Sequence, residues 1–455
     1  MDRGRVRARR PDSAVRGRDA TSDAARMSEM PQSFGNKTRH THQYQESGMQ
    51  ALTGIKVVDL SRALSGPFCS MVLADLGADV IKVESGPHGD MSRAWGPFDR
   101  GVSTYYLSCN RNKRGICVDF RQPAGLDVVR RLIAQADVVI ENFKAGTMDA
   151  MGLGYAELSA GDPRLVMGSV TAFGPRGPLR DWPGFDQIAQ GYAGLMSLTG
   201  FPDGEPTRTG TAIGDLSSGM WVATGVMAAL FERERTGRGQ HVGTSLLESL
   251  VALLSVHGQR YLSLGDVPRR TGNAHAVIAP YGVFETADGP LNLAPITTDM
   301  WLRLCQLLDL PALPNDPRFA TNDARVAHRD ELKALLESRL RTRGKRDWTQ
   351  RFVEAGLPAG PIHTLDEVFD DPQLEHCGLV ESVAHPTLGT LRQVVTPLGG
   401  MDDDVPAPRT RHAPPLLGEH TVDVLREAGY GDDAIDALLA GRAIFQADAV
   451  AEAVQ

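Results

Sequence analysis

Residues 55–83 read IKVVDLSRALSGPFCSMVLADLGADVIKV, and this stretch decides the fold class. A β-branched apolar run at Ile55–Leu60 predicts a buried strand, Gly66–Gly77 predicts a helix, and Asp79–Val83 predicts a second strand. The same alternation recurs downstream, with strands at 115–120, 137–142 and 164–171 and a helix at 124–136. Strands that alternate with helices of 10–15 residues are typical of βαβ units. We therefore predict an α/β fold with a mainly parallel sheet, whose ligand lies beyond the carboxyl ends of the strands.

Helical patterns dominate from about residue 185 to residue 264, and a stretch rich in Gly and Pro follows at 265–280. Ala287-Asp288-Gly289 then separates two short apolar runs, which is a hairpin signal. Helices are predicted near 299–309, 326–342 and 346–355. These elements predict a second, smaller α+β unit. A further hairpin at 379–395 and two terminal helices near 420–428 and 432–440 complete the chain.

Composition is ordinary for a globular enzyme, with 42% apolar and 23% charged residues and a net charge of −8 over 455 residues. Residues 1–48 are basic and lack an apolar period, so we predict a disordered extension or a start assigned too far upstream. The mild acidity disfavours nucleic acid as a partner. No apolar run reaches membrane-spanning length, so no membrane partner is expected. Five scattered cysteines without a zinc pattern predict reduced thiols, a cytoplasmic location and no metal site.

Common cofactor motifs are absent. There is no P-loop, no GxGxxG after the first strand and no GxSxG elbow, which disfavours nucleoside triphosphates, NAD or FAD, and the usual α/β hydrolase chemistry. The first strand is followed instead by Ser61–Pro67, a turn into a helix. Because a helix N-terminus carries free amide groups and a favourable dipole, a phosphate-bearing ligand remains compatible with this turn.

The stretch Thr209–Gly219 contains the most unusual candidate, Asp215, which follows a glycine at the start of a long helix. One interpretation is structural, with Asp215 as the N-cap of that helix. The other is a carboxylate nucleophile with small neighbours, flanked by backbone amides that stabilise an oxyanion. With an ordinary carboxyl pKa of about 3.9, Asp215 would be ionised at neutral pH and ready to attack a carbonyl.

From about residue 52 onward the chain resembles the class III coenzyme A transferases, the CaiB/BaiF-like family of formyl-CoA transferase and carnitine CoA-transferase. Matching segments occur in order along some 400 residues. They are Gly54–Ser61, Ser65–Pro67, Leu73–Glu84, Gly89-Asp90, Asn110–Arg114, Val139–Phe143, Gly214-Asp215 and Thr236–Gln240. The family's nucleophilic aspartate falls on Asp215, which favours the catalytic interpretation.

The resemblance implies CoA transfer through an aspartyl anhydride and an aspartyl-CoA thioester, with a CoA thioester as substrate and no permanently bound cofactor. It also implies a Rossmann-like large domain built from both ends of the chain, with a smaller α+β domain inserted. The domains would span 49–264, 265–375 for the small domain, and 376–455 for the part that returns to the large one. Two subunits would interlock as a homodimer, and the partners would be an acyl-CoA and a small carboxylic acid.

Family contacts to CoA fall on seven residues of this chain, namely Leu64, Ser65, Val118, Arg121, Asn142, Phe143 and Lys144. Leu64 stands where formyl-CoA transferase has glutamine, and Arg121 replaces a lysine. A further family arginine aligns with Ala150 and a lysine with Thr171, so two cationic contacts are missing from the pattern. Each of these contacts has a structural alternative. Arg121 and Lys144 could be solvated surface charges. Asn142 and Phe143 could serve only to pack the end of a strand.

The segment Thr271–Tyr281 lacks the glycine run of formyl-CoA transferase, which favours succinyl-CoA or another dicarboxyl-CoA as donor. Arg270 or His275 could pair with the free carboxylate of such a substrate, although both could equally be solvent-exposed loop residues. The alternative activity is that of a 2-methylacyl-CoA racemase, whose His falls on Phe185 within Gly184-Phe185-Asp186. Because phenylalanine cannot exchange a proton, the racemase is the weaker prediction. A non-catalytic or NAD-binding α/β protein is a third and weaker alternative.

Overall fold

The structure is a computed structural model that describes residues 49–399 and 407–447. The predictions for residues 1–48 lie outside these ranges. The first part of the described chain alternates strands and helices: β1 (Lys56–Asp59), α1 (Ser65–Asp75), β2 (Asp79–Ser85), β3 (Phe98–Asp99), β4 (Val102–Ser103), α2 (Thr104–Leu107), β5 (Lys113–Val118), α3 (Pro123–Ile133), β6 (Val138–Glu141), α4 (Thr147–Ala150), α5 (Tyr155–Gly161), β7 (Val166–Thr171), α6 (Asp186–Tyr192), α7 (Ile213–Thr236), β8 (His241–Ser245), α8 (Leu246–Leu253) and α9 (Ser255–Leu264).

The second part begins with a hairpin and ends with a single short strand: β9 (Gly282–Glu285), β10 (Pro290–Leu293), α10 (Thr298–Leu307), α11 (Asn322–Ala327), α12 (Arg329–Leu340), α13 (Lys345–Glu354), β11 (Ala359–Pro361), α14 (Leu365–Phe369), α15 (Pro372–His376), β12 (Val380–His385), β13 (Gly389–Val394), α16 (Thr421–Glu427), α17 (Asp432–Ala440) and β14 (Ile444–Phe445).

A seven-stranded sheet in the order β14-β5-β2-β1-β6-β7-β8 forms the centre of the molecule. Its neighbouring strands are parallel except at the edge, where β14 is antiparallel to β5. Apolar clusters cover both faces, as a buried parallel sheet requires. The predicted α/β class with a mainly parallel sheet is therefore confirmed. The strand order reverses between β1 and β6, and ligands of such sheets bind outside the carboxyl ends at this point.

A smaller three-stranded antiparallel sheet, β11-β10-β9, has its own apolar core with Trp301 and Phe352 at its centre. This sheet and its helices lie within the predicted small domain at 265–375. The C-terminal part returns to the large sheet, because β14 pairs with β5 and α16 packs on the same strand. The domain boundaries themselves stay predictions.

Within the described residues, α7 is the one helix that is long and apolar enough to cross a membrane by length and composition. It packs against α1 and β7. Its last turn carries the buried Arg233, whose Nη2 lies 3.0 Å from Asp137 Oδ1. These contacts are those of a core helix of the large sheet.

Candidate active site

Asp215 occupies the third position of α7, after Ala212 at the N-cap. The alternative interpretation of Asp215 as the N-cap is therefore wrong. Its own amide and that of Gly214 donate instead to Asp186 Oδ1, over 3.4 Å and 2.7 Å. Asp186 opens α6 and caps α7 across the fold, since the free amides of a helix start need an acceptor. These two amides are therefore already engaged by Asp186, and stabilisation of an oxyanion by flanking amides stays a prediction.

Burial, and to a smaller extent the charge of Asp186, raises the pKa of Asp215 to about 7. The expectation of an ordinary carboxyl pKa is thus corrected. No described residue forms an ion pair with Asp215. Desolvation disfavours the charged form when no cation compensates for it. Near neutral pH the carboxyl is therefore divided between a protonated form and a poorly solvated, reactive anion.

Asp215 lines a cavity of about 330 Å³ outside the carboxyl ends of β1, β6 and β7. The wall combines residues from several segments of the chain: Ala63, Ser65, Trp95, Tyr105, Asn142, Val170, Thr171, Ala172, Gly184, Phe185, Asp186, Gln187, Ala212 and Leu246. Thr171 also lines a second cavity of about 430 Å³, so the two cavities adjoin. A ligand bound at the strand switch can reach Asp215 from this side.

The turn that follows β1, Ser61–Pro67, is called the first turn. It is hydrogen-bonded to the end of β6 through Asn142. The Asn142 Nδ2 group donates to Arg62 O over 2.7 Å and to Ser65 Oγ over 3.3 Å, while Arg62 N donates to Asn142 Oδ1 over 2.8 Å. A Cβ at Gly66 would lie 2.2 Å from Ser61 Cβ, so only glycine permits this tight turn. Of the predicted CoA residues, Ser65 and Asn142 are thus brought together beside Asp215.

Buried charged side chains stabilise the first turn. Lys82 Nζ donates to Ser61 O over 3.0 Å and pairs with Asp90 at 3.0 Å. Asp90 Oδ1 accepts from the amide of Ala63, which has a φ of 64°. Since positive φ is unfavourable for a residue with a Cβ, this bond holds the turn in a conformation it would not adopt alone. Lys82 and Asp90, both in the matching segments, are therefore supports of the turn.

Asp59 completes this support at the end of β1. Its Oδ2 lies 3.1 Å from Lys113 Nζ and accepts from Ser70 Oγ over 2.6 Å. Burial alone would raise the pKa of Asp59, but the charges of Lys113 and Lys82 hold it at about 2. Asp59 is therefore ionised and fully paired inside the fold.

The remaining predicted CoA residues lie in different surroundings. The side chain of Leu64 packs with Met71 and Cys109, away from solvent. Phe143 is largely buried, but it lines the 430 Å³ cavity together with Lys144. Lys144 is exposed, and its nearest acidic partner, Asp181, is 3.8 Å away.

Val118 and Arg121 lie at the end of β5, two strands from β1. Val118 is fully buried, so its side chain cannot contact a ligand in this conformation. The guanidinium of Arg121 binds both oxygens of Asp119, over 2.8 Å and 3.0 Å. Its charge is therefore already compensated, although 75% of its side chain is exposed.

Arg270 and His275 do not line the Asp215 cavity of their own chain. Arg270 donates to the carbonyls of Phe201 and Gly204, over 3.1 Å and 2.7 Å, and borders a third cavity of about 610 Å³. His275 stacks near Tyr281 with ring centroids 5.0 Å apart. The structure thus separates these two residues from the other predicted site residues.

Sequence reasoning missed three residues beside Asp215. Asp186 was named only within the Gly184–Asp186 match, and Gln190 Nε2 donates to its Oδ2 over 2.6 Å. Tyr105 and Trp95 pack edge to face, with centroids 5.2 Å apart, in the cavity wall. Burial and then the charge of Asp215 raise the pKa of Tyr105. The Gly-Phe-Asp match was the one signal that could have drawn attention to Asp186.

In the described ranges no group of three or more His, Cys, Asp or Glu is arranged to hold a metal ion. The five cysteines are free thiols, four of them buried. The chemistry available at the site is therefore that of a partly buried carboxylate beside a polar cavity. Such a group can act as a nucleophile toward a carbonyl.

Comparisons with known proteins identify the family of this chain. The family model described as CoA-transferase family III matches residues 52–421. A human succinyl-CoA:glutarate CoA-transferase is 38% identical over 411 residues, which is 88% of this chain and 91% of the relative. A succinate–glutarate CoA-transferase from Agrobacterium fabrum is 41% identical over 383 residues, or 83% of this chain and 95% of the relative.

Among solved structures, a CaiB/BaiF family protein from Brucella suis superposes with a TM-score of 0.77 at 41% identity. The match covers 83% of this chain and 99% of that protein. The resemblance predicted from the motifs is thus confirmed over most of the sequence. The chain belongs to CoA-transferase family III and is a CoA-transferase.

Proposed function

We propose that this enzyme transfers CoA from succinyl-CoA to a dicarboxylic acid of the glutarate class. The observation that carries the proposal is Asp215, a carboxylate with a pKa raised to about 7 in a cavity at the strand switch. The substrates are taken from the relatives described above, of which the human one is named for succinyl-CoA and glutarate and the Agrobacterium one for succinate and glutarate. A relative from Haloarcula hispanica, 36% identical, is named succinyl-CoA:mesaconate CoA-transferase, so other dicarboxylates belong in any test.

In the proposed mechanism one oxygen of the Asp215 carboxylate attacks the thioester carbonyl of the donor. The C–S bond breaks, and a mixed anhydride and CoA thiolate result. The thiolate then attacks the aspartyl carbonyl, releases succinate and forms an aspartyl-CoA thioester. The acceptor carboxylate attacks this thioester and expels the thiolate, which finally attacks the acceptor's acyl carbonyl and frees Asp215. Each step exchanges one acyl bond for another, so no external energy source enters the balance.

The surroundings of Asp215 support a nucleophilic role. A desolvated carboxylate is a stronger nucleophile than a hydrated one, and burial is the main reason for its raised pKa. Asp186 fixes the backbone at Gly214 and Asp215, so the attacking group is oriented before substrate binds. Trp95 and Tyr105 give the cavity an aromatic wall.

The test measures transfer from succinyl-CoA, acetyl-CoA and formyl-CoA to a panel of glutarate, mesaconate, oxalate and monocarboxylic acids. We expect the highest kcat/KM with succinyl-CoA and a five- or four-carbon dicarboxylate. Asp215→Asn should lower kcat by about four orders of magnitude or more. Asp433→Asn, on the exposed surface of α17, is the matched control. Full activity of Asp215→Asn would refute the covalent route, and hydroxylamine trapping of an aspartyl adduct would support it.

The same purified enzyme can be used to distinguish CoA transfer from the alternative racemase activity. Phe185 lies in the cavity wall where that mechanism needs a base, and its ring cannot take up a proton. We therefore expect no exchange of the α-proton of a 2-methylacyl-CoA in deuterated water. Exchange without an added carboxylic acid would favour the racemase.

We further propose a homodimer, which covers the exposed apolar face of α9. Within this chain α9 has no buried residue, and Val256, Leu262 and Leu264 are each at least three quarters exposed. Apolar surface of this extent is typical of an interface between protein chains. Light scattering should give twice the chain mass, and Val256→Glu with Leu262→Glu should lower it. A monomer in the unmodified protein would contradict the proposal.

An interlocked arrangement gives Arg270 and His275 a route to the site, because a loop of one subunit would then reach Asp215 of the other. If so, Arg270→Ala or His275→Ala should raise the KM of the dicarboxylic acceptor but not that of a monocarboxylic one. Unchanged acceptor KM in both variants would contradict this role.

We also propose a cytoplasmic location, which the four buried free thiols support and which a fluorescent fusion tests.

A further inference from the structure

Three arginines beside the active-site cavity have no acidic partner. Arg62 follows β1, and Arg176 and Arg180 lie in the segment between β7 and α6. All three are exposed. Within the described residues no ion pair or side-chain hydrogen bond joins any of their guanidinium groups to the protein. We call these three residues the arginine cluster.

Arg62 is placed by its backbone and by one aromatic ring. Both backbone groups of Arg62 are hydrogen-bonded to the Asn142 amide, which leaves the side chain free. Its guanidinium carbon lies over the ring of Phe143, 5.0 Å from the centroid. Because Phe143 lines the 430 Å³ cavity and Asn142 lines the cavity of Asp215, Arg62 stands at the boundary between the two.

Arg176 and Arg180 stand in the wall of the 430 Å³ cavity, and Thr171 connects that wall with the cavity of Asp215. Lys144 lines the same wall. The cavity also contains three carboxyl groups, those of Glu141, Asp149 and Glu248. Two of these are engaged elsewhere, since Glu141 accepts from the Phe143 amide over 2.9 Å and Glu248 from Ser245 Oγ over 2.8 Å.

The chemistry of the substrate matches this distribution of charge. A CoA thioester has to bring its carbonyl carbon to Asp215, while its phosphates lie at the far end of the pantetheine arm. Guanidinium groups bind phosphate oxygens through paired hydrogen bonds, and a cation without a carboxylate partner has no ion pair to break when it does so. Arg121, at the end of β5, differs in this respect, because Asp119 already holds its guanidinium.

We propose that Arg62, Arg176 and Arg180 bind phosphate groups of the CoA substrate, an inference that rests on the proposed CoA thioester chemistry. The cluster takes the place of the two cationic positions that this chain lacks at Ala150 and Thr171. The net charge of −8 is no obstacle, because the contacts are local. Selectivity for CoA over shorter thiols then comes from this cluster, and the chemistry comes from Asp215.

The experiment measures the Kd of free CoA, of dephospho-CoA and of pantetheine by calorimetry, with no acyl donor or acceptor present. The variants are Arg62→Ala, Arg176→Ala, Arg180→Ala and the corresponding Lys replacements. Arg346→Ala, an exposed arginine of α13, and Arg121→Ala are the comparisons. Each Ala variant of the cluster should weaken CoA binding about tenfold, as expected for the loss of a charge-assisted contact. Pantetheine binding should not change, and Lys should restore part of the affinity for CoA.

Dephospho-CoA distinguishes the two phosphate sources. If the loss persists with dephospho-CoA, the cluster binds the diphosphate, and if it disappears, the cluster binds the 3′-phosphate. Equal losses for CoA and pantetheine would indicate a structural role and overturn the proposal. So would unchanged CoA affinity in all three variants, or a large loss confined to Arg121→Ala. Failure of the unmodified enzyme to bind CoA would instead contradict the proposed function, so the two failures are separable.

Discussion

Two carboxylates, Asp59 at the end of β1 and Asp215 in the first turn of α7, have opposite electrostatic surroundings. Asp59 lies below the first turn with Lys113 and Lys82 beside it, and its pKa is about 2. Asp215 lies above the sheet beside Asp186, and its pKa is about 7. Burial acts in the same direction on both groups. The counter-charges therefore decide which carboxylate is inert and which is reactive.

The comparison separates support from chemistry within one active site. Around Asp59 every charge has a partner, and the network fixes Ser61 and Ala63 in the turn. Around Asp215 the partner is a second carboxylate, which cannot neutralise it but can fix its backbone. The reactive carboxylate, Asp215, is therefore electrostatically destabilised, whereas the charges that support the turn are neutralised by their partners.

The largest effect we expect is on folding, from Asp59→Asn. This change leaves the buried amine of Lys113 without its countercharge, and removing one partner of a buried ion pair typically costs about 3–5 kcal/mol. Urea denaturation should show this loss in the free energy of unfolding, with Asp433→Asn unchanged as control. Adding Lys113→Met should recover part of the loss. Equal stability of Asp59→Asn and the unmodified protein would mean that the pair does not support the turn.

A smaller effect of opposite sign is expected from Asp215→Asn. The folded-state pKa of Asp215 is raised from 3.8 to about 7, so the folded state binds more protons than the unfolded state between these values. The contribution of Asp215 to stability is present below about pH 4 and is lost as pH rises through about 7. Asparagine cannot ionise, so it avoids the free-energy cost of a charged carboxylate at this buried position. At pH 8 the Asp215→Asn variant should therefore be more stable than the unmodified protein by up to about 4 kcal/mol. Denaturation at pH 5 and pH 8 measures it, and a gain that does not grow with pH would contradict it.

The same contrast explains how far the sequence could lead. The pattern at 55–83 predicted the sheet, because two apolar strand segments flank a helical segment there, as they do in buried βαβ units. Asp215 was identified as catalytic only through the family resemblance, since its spacing alone favoured an N-cap. Its partner Asp186 lies 29 residues away in sequence, and a contact between two turns leaves no periodic signal.

Other elements were missed for physical reasons that are visible in the structure. Strand β5 begins at the fully buried Lys113, two residues before the predicted start, because a lysine inside a sheet resembles an exposed residue in a sequence pattern. Strand β8, His241–Ser245, has only one large apolar residue and was not predicted. The last part of the helical pattern predicted up to residue 264 is divided at Ser255, whose φ is 42°.

The smallest effect we predict is a change in pH dependence from Asp186→Asn. The limb of kcat/KM that rises with pH should report ionisation of Asp215 near pH 7 in the unmodified enzyme. Removing the charge of Asp186 lowers the pKa of Asp215, so this limb should move to lower pH. Burial is the larger cause of the raised pKa, and the limb should therefore stay above that of an exposed carboxyl.

Gln190→Ala separates the charge of Asp186 from its positioning role. The Gln190 amide holds Asp186 Oδ2, so its loss disturbs the geometry but leaves the charge in place. We expect this variant to lower kcat without moving the limb. If both variants moved the limb equally, orientation and not charge would control the pKa of Asp215. If neither moved it, burial alone would account for the contrast between Asp215 and Asp59, and Asp186 would serve only as the cap of α7.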